Sequence, residues 1–231
     1  MKKNLLLATA AIPALFLLSC ATVAPVNTSY ERAATLGKGG LELNGSYTHY
    51  SFSGEGESGA TNNNFGGKVG YGISDKMDIK LRYEKLIPVG LEEDSKFKAN
   101  YISVIPKFSI KDKKFAVLVP ISRYNFKEES EAGETFKDHN YSIAPQFIGT
   151  FTTKSNQADL SFSLKGDYII GSEGSNEFLM GFSGGAGFSS NLDKWAIRPE
   201  VGYLFKPGEP GGFWNMGIGL QVILPTNRSH K

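Results

Sequence analysis

Few residues in this chain can carry acid–base or nucleophilic chemistry. Only three histidines occur, and one of them, His139, directly follows a carboxylate, Asp138. An imidazole beside a carboxylate is a common pairing for a general base. The same two residues also suit the solvated edge of a loop, because they lie in a polar and charged stretch, and we prefer that interpretation. The sequence therefore predicts no catalytic residue, no metal ligand and no cofactor.

The single cysteine, Cys20, ends a stretch that is typical of an export signal. Met1-Lys2-Lys3 gives a positive start, and residues 5–18 form an apolar run that is too short for a comfortable membrane span. The final Leu17-Leu18-Ser19-Cys20 resembles the lipobox of bacterial lipoprotein precursors. The resemblance implies that residues 1–19 are a signal peptide and that Cys20 becomes the lipidated N-terminus. An ordinary signal peptide with a chance cysteine is the alternative.

Residues 20–37 have a mixed composition with Pro25 and several Asn, Thr and Ser residues. Such a stretch is typical of a flexible linker, although residues 30–34 could also hold one helical turn. We predict that residues 20–37 are a lipidated tether between the membrane anchor and the folded domain.

The two-residue period of β-strands begins at Gly39 and continues almost to the end of the chain. From Met77 to Glu84, apolar and charged residues alternate strictly, so the two kinds of side chain would line opposite faces. Glycine makes up 27 of the 231 residues, which indicates many turns. We predict an all-β fold, an antiparallel up-and-down transmembrane β-barrel of about ten strands, over residues 38–225. A polar tail follows at residues 226–231.

The apolar face carries aromatic residues near both ends of the strands, for example Tyr71 near the turns and Trp214 near the loops. Two aromatic girdles are typical of membrane barrels. A soluble ten-stranded clam of the fatty-acid-binding kind has the same alternation with its apolar face inside, and it remains an alternative. The net charge of +2 is too small to indicate a nucleic-acid partner.

Short turns alternate with longer and often acidic loops, which we predict at residues 53–62, 88–95 and 127–138. Outer-membrane barrels have this asymmetry, with the short turns on the periplasmic side. Both chain ends then lie on the turn side. A lipid on Cys20 would accordingly sit in the inner leaflet of the outer membrane.

Two further resemblances concern the barrel. Asn215-x-Gly217-x-x-Leu220-x-Val222 resembles the last-strand signal by which outer-membrane barrels are recognised for assembly, and it implies the barrel-assembly machinery as a partner. In residue type alone, Asp138-His139 resembles the outer-rim acid and histidine constellation of omptin proteases, which are also ten-stranded.

Charged residues on the face opposite the aromatics would point into the barrel. Their signs roughly balance, and side chains alone can fill an interior only slightly wider than that of an eight-stranded barrel. We predict that they form ion pairs and plug the lumen. The candidates are Glu42, Lys68, Asp78, Lys80, Arg82, Glu84, Lys165, Asp167, Arg198 and Glu200.

These patterns together predict a lipid-anchored outer-membrane β-barrel with a structural or surface-interaction role. Outer-membrane lipid is then a partner, while the sequence names no surface ligand. The alternatives are a narrow polar channel, a soluble lipid-binding lipoprotein and, least favoured, an outer-rim hydrolase.

Overall fold

The computed structural model describes residues 23–54, 56–90, 96–111, 113–129, 135–172 and 174–224. The predicted signal peptide, Cys20 and the predicted tail at residues 226–231 lie outside these ranges. Twelve β-strands are formed in the described part of the chain. No helix among the described residues is long and apolar enough to cross a membrane.

Every strand pairs antiparallel with its neighbours in the sheet. Their bounds are β1 (Leu41–Gly54), β2 (Glu57–Ser74), β3 (Met77–Pro88), β4 (Lys98–Lys111), β5 (Phe115–Leu118), β6 (Ile121–Glu129), β7 (Thr135–Ile143), β8 (Gln146–Thr152), β9 (Ala158–Ile170), β10 (Asn176–Phe188), β11 (Trp195–Phe205) and β12 (Gly212–Leu224).

These strands close into an antiparallel up-and-down transmembrane barrel of ten strands, because two of the ten are each interrupted and so count as two in the list above. β12 pairs with β1 from Leu41↔Leu224 onward, which joins the last strand to the first. β5 and β6 are the two parts of one interrupted barrel strand, and β7 and β8 are the two parts of the next. Each break contains a proline, Pro120 or Pro145, whose nitrogen cannot donate to the ladder. The predicted fold class is confirmed.

The apolar face of the barrel points outward. On β3, Leu81 and Tyr83 are 55% and 51% exposed, whereas Lys80 and Glu84 are 1% and 0% exposed. An apolar outer band around a polar interior is the arrangement of a membrane barrel. The prediction that the apolar face points outward is therefore confirmed. The alternative of a soluble clam, which would bury its apolar face, is wrong.

Two of the predicted loops are extensions of β-hairpins. β1 and β2 remain paired as far as Gly54↔Glu57, and β6 and β7 remain paired as far as Glu129↔Thr135. The predicted loops at residues 53–62 and 127–138 are wrong for this reason. Most side chains in these extensions are polar on both faces, so the alternation of apolar and polar residues is lost while the backbone remains paired.

The N-terminal residues depart most from the prediction. Residues 23–37, which we name the luminal segment, run through the barrel interior as an irregular chain instead of forming a tether outside it. Ala24, Tyr30 and Ala33 are at most 1% exposed. The prediction was wrong here because a polar composition that is typical of a linker also suits a polar lumen. Positive φ angles of 76° at Gly37 and 78° at Gly39 then let the chain turn back into β1.

Candidate functional site

The luminal segment begins at the loop end of the barrel. The Ala24 amide donates to Asn62 Oδ1 at 2.8 Å, and the Val26 amide donates to the Tyr124 hydroxyl at 3.1 Å. Val26 also packs against Leu86 in a buried apolar cluster. These wall residues lie near the hairpins that join β1 to β2, β3 to β4 and β6 to β7, so residue 23 is close to the loop rim.

The same segment ends at the turn side. The Leu36 amide donates to Asp78 Oδ1 at 3.0 Å, and the Thr35 hydroxyl donates to the Asp75 carbonyl at 2.8 Å. Asp75 lies in the short turn between β2 and β3. The segment therefore crosses the barrel from the loop end to the turn end before β1 begins.

An ion pair near the turn end links the segment to the opposite wall. Arg32 Nη2 lies 2.8 Å from Asp193 Oδ1, in the turn between β10 and β11. Partial burial raises the pKa of the Asp193 carboxyl, but the hydrogen bond and the charge of Arg32 outweigh it, so this pKa lies below its ordinary value. The Asp193 side chain is 68% exposed, so water screens the pair and its contribution is small.

Wall side chains supply the backbone partners of the luminal segment. Because the segment forms no helix or strand, its amide and carbonyl groups need other hydrogen-bond partners. Glu200 accepts the amides of Ser29 and Tyr30 at 2.9 and 2.7 Å. Lys165 donates to the Val26 carbonyl at 2.6 Å. Charged wall residues thus hold the segment through its backbone as well as its side chains.

Arg82 connects the segment to two wall strands. Its guanidinium donates to the Thr28 carbonyl and, at 3.1 Å, to the Thr28 hydroxyl. It forms an ion pair with Glu84 and lies 6.0 Å from the centre of the Tyr101 ring. One wall residue therefore contacts the segment and two neighbouring wall groups at once.

A buried charge cluster surrounds Glu31 of the segment. Its carboxylate accepts hydrogen bonds from Lys80 at 2.7 and 2.8 Å, from Lys107 at 2.9 Å and from Lys68. Glu42 adds a second carboxylate, 2.8 Å from Lys80. These five side chains are at most 3% exposed. Three ammonium groups are thus held by two carboxylates, and one of those carboxylates belongs to the luminal segment.

All ten predicted lumen residues lie inside the barrel and are at most 7% exposed. Seven of them form ion pairs with one another in the described part of the chain. These pairs join Glu42 to Lys68 and Lys80, Arg82 to Glu84, and Lys165 to Asp167.

The other three predicted residues bind different partners. Arg198 forms a two-point ion pair with Asp159, at 2.9 and 2.8 Å, rather than with Glu200 on its own strand. Asp78 and Glu200 accept backbone amides of the luminal segment. Spacing along one strand could not predict these partners, because each lies on another strand or in the segment.

The ring of Tyr30 fills space left by glycines on the inner face of β12. A Cβ atom on Gly217 would lie 2.0 Å from the Tyr30 hydroxyl, and one on Gly219 would lie 2.9–3.1 Å from atoms of the Tyr30 side chain. The hydroxyl also contacts Thr48 Oγ1 at 2.6 Å. Tyr30 has a φ of 52°, in the left-handed region that few non-glycine residues adopt. Gly217, part of the predicted assembly signal, therefore has a packing role within the barrel.

Sequence reasoning missed Glu31 and Tyr30 as site residues because it placed them in a tether. One signal was present in the sequence. The inner face of β12 carries Gly217 and Gly219, which leave room that the wall residues do not fill. Such a row of small residues on an inner face indicates that another part of the chain approaches it closely.

The residues first considered for acid–base chemistry lie outside the lumen. The Asp138 carboxylate accepts hydrogen bonds from the His139 backbone amide at 2.7 Å and from the Ser172 hydroxyl. His49 Nδ1 lies 2.9 Å from Asn63 Oδ1. No group of three His, Cys, Asp or Glu side chains among the described residues is placed to hold a metal ion.

Comparison with known proteins supports the fold alone. The sequence matches no protein family and no curated protein. The translocator domain of the autotransporter NalP from Neisseria meningitidis is similar, with a TM-score of 0.50, 9% identity and coverage of 93% of this chain and 97% of that domain. An outer-membrane channel from Pseudomonas putida F1 has a TM-score of 0.49, 10% identity and coverage of 87% and 100%. The chain thus has the fold of bacterial outer-membrane β-barrels.

Proposed function

We propose that the protein is a bacterial outer-membrane β-barrel closed by its own luminal segment, with a structural or surface-interaction role. The observation that carries this proposal is the burial of Glu31 among Lys68, Lys80 and Lys107. A carboxylate held by three wall lysines fastens the segment inside the lumen. The hairpins at the loop end then carry the surface interaction.

The space beside the segment supports closure. A cavity lined by residues that include Gln146, Lys165 and Asp167 measures about 20 Å³. A cavity needs roughly 10–15 Å³ to hold one water molecule. This cavity therefore suits a single water and not a solute of metabolite size.

Two other candidate functions rest on less. A narrow polar channel would use the charged wall if the segment could leave the lumen. An outer-rim hydrolase would need the Asp138 carboxylate to orient the His139 imidazole, but that carboxylate accepts from the His139 backbone amide and from Ser172. We therefore propose a protein that is not an enzyme.

Conductance tests the closed barrel. In planar bilayers, purified unmodified protein should show at most small conductance steps, of the size given by a pore that passes only small ions. The reason is that the luminal segment and its wall partners fill the interior. Gel mobility with and without boiling verifies that the sample is folded. Large and stable single-channel steps from folded protein would contradict closure and favour the polar channel.

We also propose that mature protein begins at Cys20 and carries acyl chains, with outer-membrane lipid and the barrel-assembly machinery as its partners. The Leu17-Leu18-Ser19-Cys20 ending of the export signal supports this proposal. Intact-mass measurement of protein from the membrane fraction should give the mass from Cys20 onward plus acyl chains. A mature mass without lipid, or with cleavage at another bond, would contradict the lipid anchor but would not bear on the proposal of a closed barrel.

A further inference from the structure

The direction of the luminal segment bears on where its N-terminal end meets the membrane. Residues from Ala24 to Val26 bind wall groups at the loop end, and residues from Arg32 to Leu36 bind groups at the turn end. The intermediate residues bind between them: the Tyr30 amide donates to Glu200, in the middle of β11, and Glu31 binds Lys80, the fourth residue of β3 from the turn side. The chain therefore crosses the barrel once in the segment and crosses back in β1.

Chain length then limits the position of Cys20. Only two residues lie between Cys20 and Val23, so the chain from one to the other takes three steps, which span at most about 10–11 Å when fully extended. The apolar band of an outer-membrane barrel is about 25 Å tall. Acyl chains on Cys20 therefore cannot insert on the turn side while Ala24 and Val26 keep their partners at the loop end.

We infer that the lipid anchor sits in the leaflet at the loop rim, the outer leaflet, so that the mature N-terminus is reached from the cell surface. This inference rests on the proposed lipidation of Cys20 and deepens it by naming the leaflet. It reverses the inner-leaflet position that follows from the sequence, because that position assumed a tether outside the barrel. The luminal segment is then fastened at both ends, by the lipid at the loop rim and by β1 at the turn side.

Even strand number supports the assignment of the loop rim to the outside. The ten-stranded barrel begins at Leu41 and ends at Leu224, and both residues lie beside the short turns. In outer-membrane barrels the short turns are periplasmic. The loop end, where the luminal segment begins, then faces the surface.

Cysteine labelling on intact cells tests the inference without lengthening the chain. Thr22→Cys is compared with two matched variants, Glu57→Cys in the β1–β2 hairpin at the loop end and Lys76→Cys in the turn between β2 and β3. Cys20 is kept in all three. With an impermeant maleimide, the thiol at position 22 should be labelled to the same extent as that at position 57, and the thiol at position 76 only after permeabilisation.

Intact mass of the same Thr22→Cys protein separates the possible failures. Labelling at position 22 on intact cells, together with an acyl mass on Cys20, supports the inference. Labelling at position 22 only after permeabilisation, with the acyl mass present, overturns the leaflet and leaves the anchor standing. Absence of the acyl mass overturns the anchor and the leaflet together. Bilayer conductance, which tests closure, is independent of all three outcomes.

Discussion

Replacing Glu31 with lysine should turn the closed barrel into a conducting one. The substitution would put a fourth ammonium group among Lys68, Lys80 and Lys107, within a cluster that is at most 3% exposed. Removing one partner of a buried ion pair typically costs about 3–5 kcal/mol, because the remaining charges are left uncompensated. We expect the luminal segment to leave the lumen, since this relieves the repulsion without breaking the strand ladder.

Planar-bilayer recording of Glu31→Lys measures the effect as current steps that the unmodified protein lacks. Heat-dependent gel mobility shows whether the barrel itself is intact. Glu129→Lys is the matched control, because Glu129 pairs with Lys96 near the loop end, where the two side chains are 33% and 60% exposed. It changes charge equally but should leave the baseline current unchanged. If folded Glu31→Lys protein shows no more current steps than the unmodified protein, Glu31 does not fasten the segment.

Replacing Gly219 with valine should loosen the luminal segment by a steric route. The three atoms nearest to an added Cβ all belong to the Tyr30 side chain, at 2.9–3.1 Å. Inserting methyl groups into a packed interior typically costs about 1–3 kcal/mol. The clash falls on the segment, so we expect a lower midpoint of thermal unfolding and a leak current.

Gly45→Val is the matched control for Gly219→Val. Gly45 lies on β1 and faces outward, and an added Cβ would meet nothing within 4 Å. It should change neither the unfolding midpoint nor the current. A second variant, Tyr30→Gly, removes the clashing side chain and also suits the positive φ of 52°. The double variant Tyr30→Gly/Gly219→Val should be less destabilised than the sum of the two single changes, because Tyr30→Gly removes the side chain with which the new valine clashes. Strict additivity would show that Tyr30 and Gly219 do not interact.

The sequence alone determined the barrel fold and which face of its strands points outward. Alternation from Met77 to Glu84 requires a strand with two unlike faces, because successive side chains of a strand point in opposite directions. Aromatic residues on the apolar face, such as Tyr71 and Trp214, indicated that this face meets lipid. Both inferences are local, since each depends on residues within one strand, and both agree with the structure.

Tertiary structure alone decided what fills the lumen. Glu31 and Lys107 are 76 positions apart, and Arg198 and Asp159 are 39 apart, so no local pattern pairs them. Residues 23–37 read as a linker because their polar groups could equally be satisfied by water. Whether such groups are buried depends on partners such as Glu200 and Lys165, which only the closed barrel brings to them.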